Sequence, residues 1–339
     1  MSRMRRCLPL LLAVLALPCV GLAQDWSGSS LRGARVLRLP AGYRLDVIAT
    51  GFRLPQDLAV ESASAVWLLS QADGAGGAGS LVRVPLDGPA PVDAASLPVI
   101  SIPFSPGPAR FRVGSLARHP GTGDLYVAEQ SGRHLFRVKP AGEVVLYARG
   151  LERLAETRAV AFDPAGRLVV LDFTGAPMIA DASPGNLREL FGGGESGPVL
   201  YRLHVSEEPV ALPRNVEALA PFFTAKRARL PRWVGVFALS TGDLVLGDSG
   251  GRIDRLRPDG TVVLAAGRSA ARVVAAGVHG EMYGVDTLGG RIVRVLSDGA
   301  VEEFVQGLVR PTALAVLPDG SLIVAGDTGR LLRLRPGGE

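Results

Sequence analysis

Residues 311–337 read PTALAVLPDGSLIVAGDTGRLLRLRPG. The order is an apolar strand, a turn ending in glycine, and a second apolar strand. A glycine-containing turn and a third strand, in which arginine alternates with apolar residues, complete it. The unit returns at 234–260 (VGVFALSTGDLVLGDSGGRIDRLRPDG), at 274–299 (VAAGVHGEMYGVDTLGGRIVRVLSDG) and at 115–142 (SLARHPGTGDLYVAEQSGRHLFRVKPAG). A fifth copy begins AVAFDPAGRLVVLDF at 159, and a degenerate first copy, DLAVESASAVWLLSQADG, runs from 57 to 74. A chain written this way cannot be helical, because the apolar period is that of strands and the glycines mark tight turns.

The glycine of the first turn acts as a ruler: Gly123, Gly166, Gly242, Gly280 and Gly320, with Ser64 at the equivalent place in the first copy. The steps between them are 59, 43, 76, 38 and 40 residues. The short steps match the roughly 40-residue period of four-stranded propeller blades. The 76-residue step contains no further first hairpin. Residues 199–212, VLYRLHVSEEPVAL, supply only a third and fourth strand. Six blades are therefore expected, with insertions at 173–198 and 213–231. Segments 144–150, 262–267 and 301–307 supply fourth strands, but the last copy has none before Glu339. YRLDVIATG, residues 43–51, reads as an orphan fourth strand ahead of the first copy. The expectation is an all-β, six-bladed propeller of four-stranded antiparallel blades over 36–339. Its ring closes by pairing this N-terminal strand with the C-terminal blade, which hides two sheet edges.

The N-terminus reads as a cleaved secretory signal over residues 1–23. Arg3, Arg5 and Arg6 precede the short apolar run CLPLLLAVLALPCV, and Gly21 and Ala23 suit a cleavage site. The run is too short to span a bilayer, and the residues around Cys19 do not suit lipidation. Residues 24–35 read as a flexible segment. The expected location is the periplasm or the exterior, without stable membrane insertion. Both cysteines, Cys7 and Cys19, would leave with the signal, so the mature chain would have no disulfide or thiol nucleophile. Three of 37 basic residues would leave while all 32 acidic ones stay, so the formal charge of +5 falls to about +2. That balance argues against a nucleic-acid partner.

The unit hhxDGxLhVxDxxxGRIxRhxPDG resembles the NHL repeat and the senescence-marker-protein/gluconolactonase superfamily over residues 43–337. The opening PAGYRLDVIATGFRLPQDLAV is similar to the first turn of soluble glucose/sorbosone dehydrogenase propellers. The resemblance implies the fold; this superfold hosts hydrolases, lyases, quinoprotein dehydrogenases and binding modules. Gluconolactonase likeness would imply one divalent cation, calcium or zinc, held partly by an Asn-Asp element. Here Asn186 and Asn215 are not followed by Asp. The quinoprotein likeness would imply a His-Asn-Gly-Gly stretch, and none occurs; His119, His134, His204 and His279 stand singly.

Two residue sets recur. Glu129, Asp172, Asp248, Asp286 and Asp327 close second strands. Carboxylates there could hold a hard cation, but a group repeated blade after blade fits a turn-capping role better. Arg133, Arg252, Arg291 and Arg330 follow the next glycine and would pair with such acids. A further arginine precedes each inner strand: Arg53, Arg112, Arg158, Arg232, Arg272 and Arg310. Pointing inward, these would line one mouth with positive charge and favour a carboxylate, phosphate or sulfate. Asp57 at the head of the first inner strand and Trp233, with Phe222 and Phe223, complete the candidate ligand-binding set. The GGG at 192–194 lacks the features of a phosphate loop. One short helix is expected at 214–229.

Long connections are expected to crowd one face: 72–79, 103–112, 173–198 and 213–231. Such loops on a rigid scaffold usually carry recognition. The leading expectation is a monomeric propeller binding a small anionic ligand or a protein partner at that face. The alternative is a divergent metal-dependent lactonase or esterase, then a quinoprotein sugar dehydrogenase.

Overall fold

The computed structural model describes residues 36–71, 78–104, 114–130, 132–151, 158–174, 197–205, 213–216, 220–224, 233–248, 251–267, 273–277 and 280–337. The expected signal 1–23, the segment 24–35, the 192–194 glycines, and Arg112, Arg232 and Arg272 lie outside them.

Six sheets form six blades, each with four principal antiparallel strands, in chain order in five of them. The inner strands are Pro55–Ser62, Gly114–Arg118, Val160–Phe162, Trp233–Ala238, Val273–Ala276 and Pro311–Val316. The outer strands of blades 1–5 are Val99–Ile102, Val144–Arg149, Phe223–Thr224, Val262–Ala266 and Val301–Gln306. Gly166, Gly242, Gly280 and Gly320 donate their backbone N–H to the carbonyl three residues back, at 2.9–3.0 Å, and all have φ between 73° and 87°. This is a first-hairpin turn that needs a left-handed residue, so glycine is placed where a side chain would strain the backbone. Gly123 reaches four residues back, to His119, because the second blade's turn carries one extra residue.

The outer strand of blade 6 is Tyr43–Thr50. It pairs antiparallel with Leu331–Pro336 in the register Leu45↔Leu334 and Val47↔Leu332. The ring is thus closed by the two ends of the described chain. Two outer edges are also covered. Val92–Asp93 runs parallel to the outer strand of blade 6, and Arg214–Asn215 runs parallel to that of blade 2.

The core is a ring of cores. One apolar cluster lies between blades 1 and 2 (Leu69, Leu81, Val127, Phe136), one between 6 and 1 (Leu68, Val82, Ile323), and one between 5 and 6 (Val285, Ile292, Val324). Another links blades 4 and 5, and the largest spans blades 2, 3 and 4. Each sheet buries both faces against its neighbours, so losing one blade exposes two.

Blade 3 departs from the expectation. Its third strand is Gly197–His204 and its outer strand is Phe223–Thr224, so the connection includes residues 213–222. Its described residues, 213–216 and 220–222, lie between third and fourth strands and belong to the opposite face from the one assigned to them. The described part of the expected helix 214–229 forms two short strands instead. Short strands paired to a neighbour satisfy backbone groups that a lone short helix would leave exposed at its ends.

Removing residues 36–51 should abolish cooperative folding, because the third strand of blade 6 loses its partner and the interface with blade 1 opens. A circular-dichroism melt of a chain beginning at Phe52 checks this; a single cooperative transition would refute the closure.

Candidate functional site

In the ring the inner strands face a central channel. Each presents backbone groups that no neighbouring strand in its own sheet can satisfy. At one end of the channel, polar side chains meet that need. Asp57, on the inner strand of blade 1, accepts the N–H of Leu58 at 2.8 Å through Oδ1 and that of Leu116, on blade 2, at 2.8 Å through Oδ2. Ser115 Oγ accepts the N–H of Ala159 at 3.0 Å, linking blade 2 to blade 3. Arg158 then crosses the channel. Its Nη2 donates to Asp57 Oδ1 at 2.6 Å and to the Leu58 carbonyl at 2.8 Å. Its backbone joins the inner strand of blade 4, through Val234 O and Val236 N–H. The two side chains are 8% and 2% exposed. A charge pair this dry persists only because the hydrogen bonds around it are complete.

Beyond this strap lies a cavity of about 500 Å³. Inner strands of all six blades line it, through Leu58 and Val60, Leu116, Val160 and Phe162, Phe237, Ala275 and Val316. It runs toward the first hairpin turns, where Pro120, Pro164, Ser240 and Pro318 stand at its rim. Asp163 is the one carboxylate among the described lining residues. It accepts from the Ala165 and Arg167 amides, each at 3.0 Å, and faces Arg167 at 2.8 Å and Arg202 at 3.3 Å.

No family model matches the chain, and no curated protein sequence does. Solved structures do match. A gluconolactonase from Xanthomonas campestris superposes with a TM-score of 0.56 at 15% identity, over 87% of this chain and 90% of that one. Virginiamycin B lyase from Staphylococcus aureus gives 0.52 at 14%, over 86% and 99%. A putative oxidoreductase from Thermus thermophilus, described as a glucose dehydrogenase, gives 0.51 at 19%, over 87% and 100%. What these proteins share with the chain is the six-bladed propeller. At this level of identity the likeness speaks of fold alone.

Two pairs unite candidate residues. Arg158 binds Asp57, as above, and Arg310 Nε binds Asp327 at 2.6 Å at the surface. Arg53 is exposed. Trp233 is 1% exposed, donates its indole N–H to buried Asp254 at 2.9 Å and packs on Phe223. It belongs to the core and presents no wall to a ligand. Phe222 is more open, and the Arg202 guanidinium stacks over its ring at 4.1 Å.

The strand-end acids are engaged locally. Glu129 accepts the Gly132 N–H at 2.7 Å; Asp286 accepts that of Gly289 at 2.7 Å and binds Arg291 at 2.8 Å. Asp172 is buried and Asp248 half-buried, each with a partner. Arg252 turns to Asp254, not to Asp248. Among the described residues no three acids or histidines converge in metal-binding geometry. Glu129 and Asp286 cap their own turns, the role the repeat pattern favours over cation binding, and Asp327 pairs with Arg310, so the described acids present no converging donor set for calcium or zinc.

One pattern is absent from the sequence reading. In five blades an arginine of the third strand grips an acid at or beside the first hairpin turn: Arg83–Glu61, Arg137–Asp124, Arg202–Asp163, Arg255–Asp243 and Arg333–Asp319. The signal is in the sequence, since arginine alternates with apolar residues along the third strands. The partner lies across the sheet in register, which spacing alone does not reveal.

Arg158→Leu should destabilise the domain by about 3–5 kcal/mol, because it strands a buried carboxylate. Asp57→Leu with Arg158→Leu should recover only part of the loss, since the Leu116 amide stays unpaired; urea denaturation measures both. A second expectation concerns pH. Arg83, bonding Glu61 through Nε and Nη2, holds that carboxyl below the ordinary range. A depressed folded-state value means stability present above the ordinary carboxylate pKa and lost as pH falls through the lowered one. The stability gap between the wild type and Glu61→Gln should therefore shrink from about pH 6 to about pH 3.

Proposed function

We propose that the chain is an exported binding propeller. It engages a small anionic ligand or a protein partner at the face carrying the second-to-third-strand and outer-to-inner-strand connections, without demonstrable catalysis. The observation that carries this reading is the Asp57–Arg158 strap. At that end of the channel the described polar groups are spent on one another and on backbone amides. A ligand arriving there finds these groups already engaged and would be held by the surface above them. Arg53 stands exposed on that surface, and Arg310 carries its charge there beside Asp327. The strand ends that the long connections join, Gln71 and Gly79, Ile102 and Gly114, and Thr174 and Gly197, belong to the same face by strand order. The N-terminal residues 1–23 support export.

A second reading, a divergent metal-dependent lactonase, draws on the fold shared with the Xanthomonas campestris gluconolactonase. One experiment separates the two. The purified protein is melted with polyphosphate, glucose 6-phosphate or gluconate, and assayed on gluconolactone with added calcium or zinc. The binding reading expects a raised Tm with at least one anion, diminished in Arg53→Gln, and no metal-dependent turnover. Turnover that rises with calcium or zinc would establish the lactonase. A Tm indifferent to every anion would remove the anion-binding proposal.

A further inference from the structure

We infer that the cavity inside the ring is a second binding site, entered from the first-hairpin-turn face. It would take a hydrophobic organic anion such as a medium-chain carboxylate, with Arg118 as the partner of the charged head. The site is independent of the loop-bearing face, because the Asp57–Arg158 strap lies between them.

Three observations carry the inference. The cavity, about 500 Å³, has the size of a small-molecule pocket and an apolar wall built from Leu58, Leu116, Val160, Phe162, Phe237 and Val316. Along that wall a sugar would lose water without finding hydrogen-bond partners, so the wall selects an apolar body. Arg118 lines the cavity at the end of its inner strand, half-buried, and its Nε is buried without a hydrogen-bond partner. The acid that interacts with it, Glu61, is already gripped by Arg83 through two nitrogens. Across the same rim, Asp163 is shared between Arg167 and Arg202. Burial, and then the neighbouring Arg167 charge, depress the Arg202 guanidinium. The rim of blades 1–3 therefore carries more positive charge than its acids neutralise. A carboxylate head would pair with the Arg118 guanidinium at the cavity wall while its chain fills the apolar volume.

The test uses the full chain and titrates decanoate, decan-1-ol and gluconate by calorimetry. Decanoate should bind, gluconate should not bind here, and decan-1-ol should bind more weakly than decanoate. Arg118→Gln should weaken decanoate by about tenfold or more, the value of one charge-assisted hydrogen bond, and leave decan-1-ol unchanged. Arg118→Lys, which keeps the charge, should fall between the two and serves if the Gln variant melts early. Ala276→Leu, which narrows the cavity, should weaken both decanoate and decan-1-ol. No decanoate binding, binding indifferent to both Arg118 variants, or binding lost equally in Arg53→Gln would overturn the inference.

Discussion

A ring of sheets is stable only if its last sheet can be completed by its first strand. Here Tyr43–Thr50 meets that constraint by pairing with Leu331–Pro336. Each blade buries its faces against two neighbours, so no blade has a core of its own. Without the closing pair, blades 6 and 1 would part, and the clusters on either side would meet water. The same closure sets the width of the channel and the spacing of the six inner strands. Every candidate site in the molecule inherits its geometry from that pairing.

Channel chemistry then follows from a backbone problem. Inner strands have one side without a ladder, and a buried unpaired amide costs as much as a lost hydrogen bond. Near the strand starts, Asp57, Ser115 and Arg158 answer with side-chain oxygens and a guanidinium that tie blades 1, 2 and 3 together, while the Arg158 backbone joins blade 4. Near the strand ends, the described walls are apolar and a cavity remains. Among the described residues the channel thus has a polar end, whose groups bond one another, and an apolar end. The two ends suit different ligands for that reason.

Arginine supplies all but two of the basic residues, the exceptions being Lys139 and Lys226. Much of it is used structurally, as a planar fork between a third strand and a turn acid. The arginines that stand ahead of the inner strands are not one set. Arg158 is a buried strap, Arg310 a surface pair, and Arg53 an exposed charge. Their common position in the repeat says nothing of direction, because each preceding loop differs in length and delivers its side chain differently. Trp233 departs from its expected role for a related reason. An indole ahead of a strand can face a ligand or a core, and here buried Asp254 supplies the acceptor that draws it inward.

Periodicity is enough to read six blades, their turn glycines and the closing strand, since these depend on local turn geometry and on a strict alternation of apolar residues. The 76-residue step holds no extra blade, as its sequence implies, yet the outer strand of blade 3 falls at Phe223–Thr224 and not before residue 213. A two-residue strand has no pattern of its own and exists only where a partner edge awaits it. The candidate sites depend on the same kind of information. Which acid meets which arginine, and which end of the channel is dry, are contacts between residues far apart in the chain, as with Asp57 and Arg158. Local sequence determines the strands and turns; only the closed ring decides what faces what, because that depends on how six sheets twist and pack around one axis.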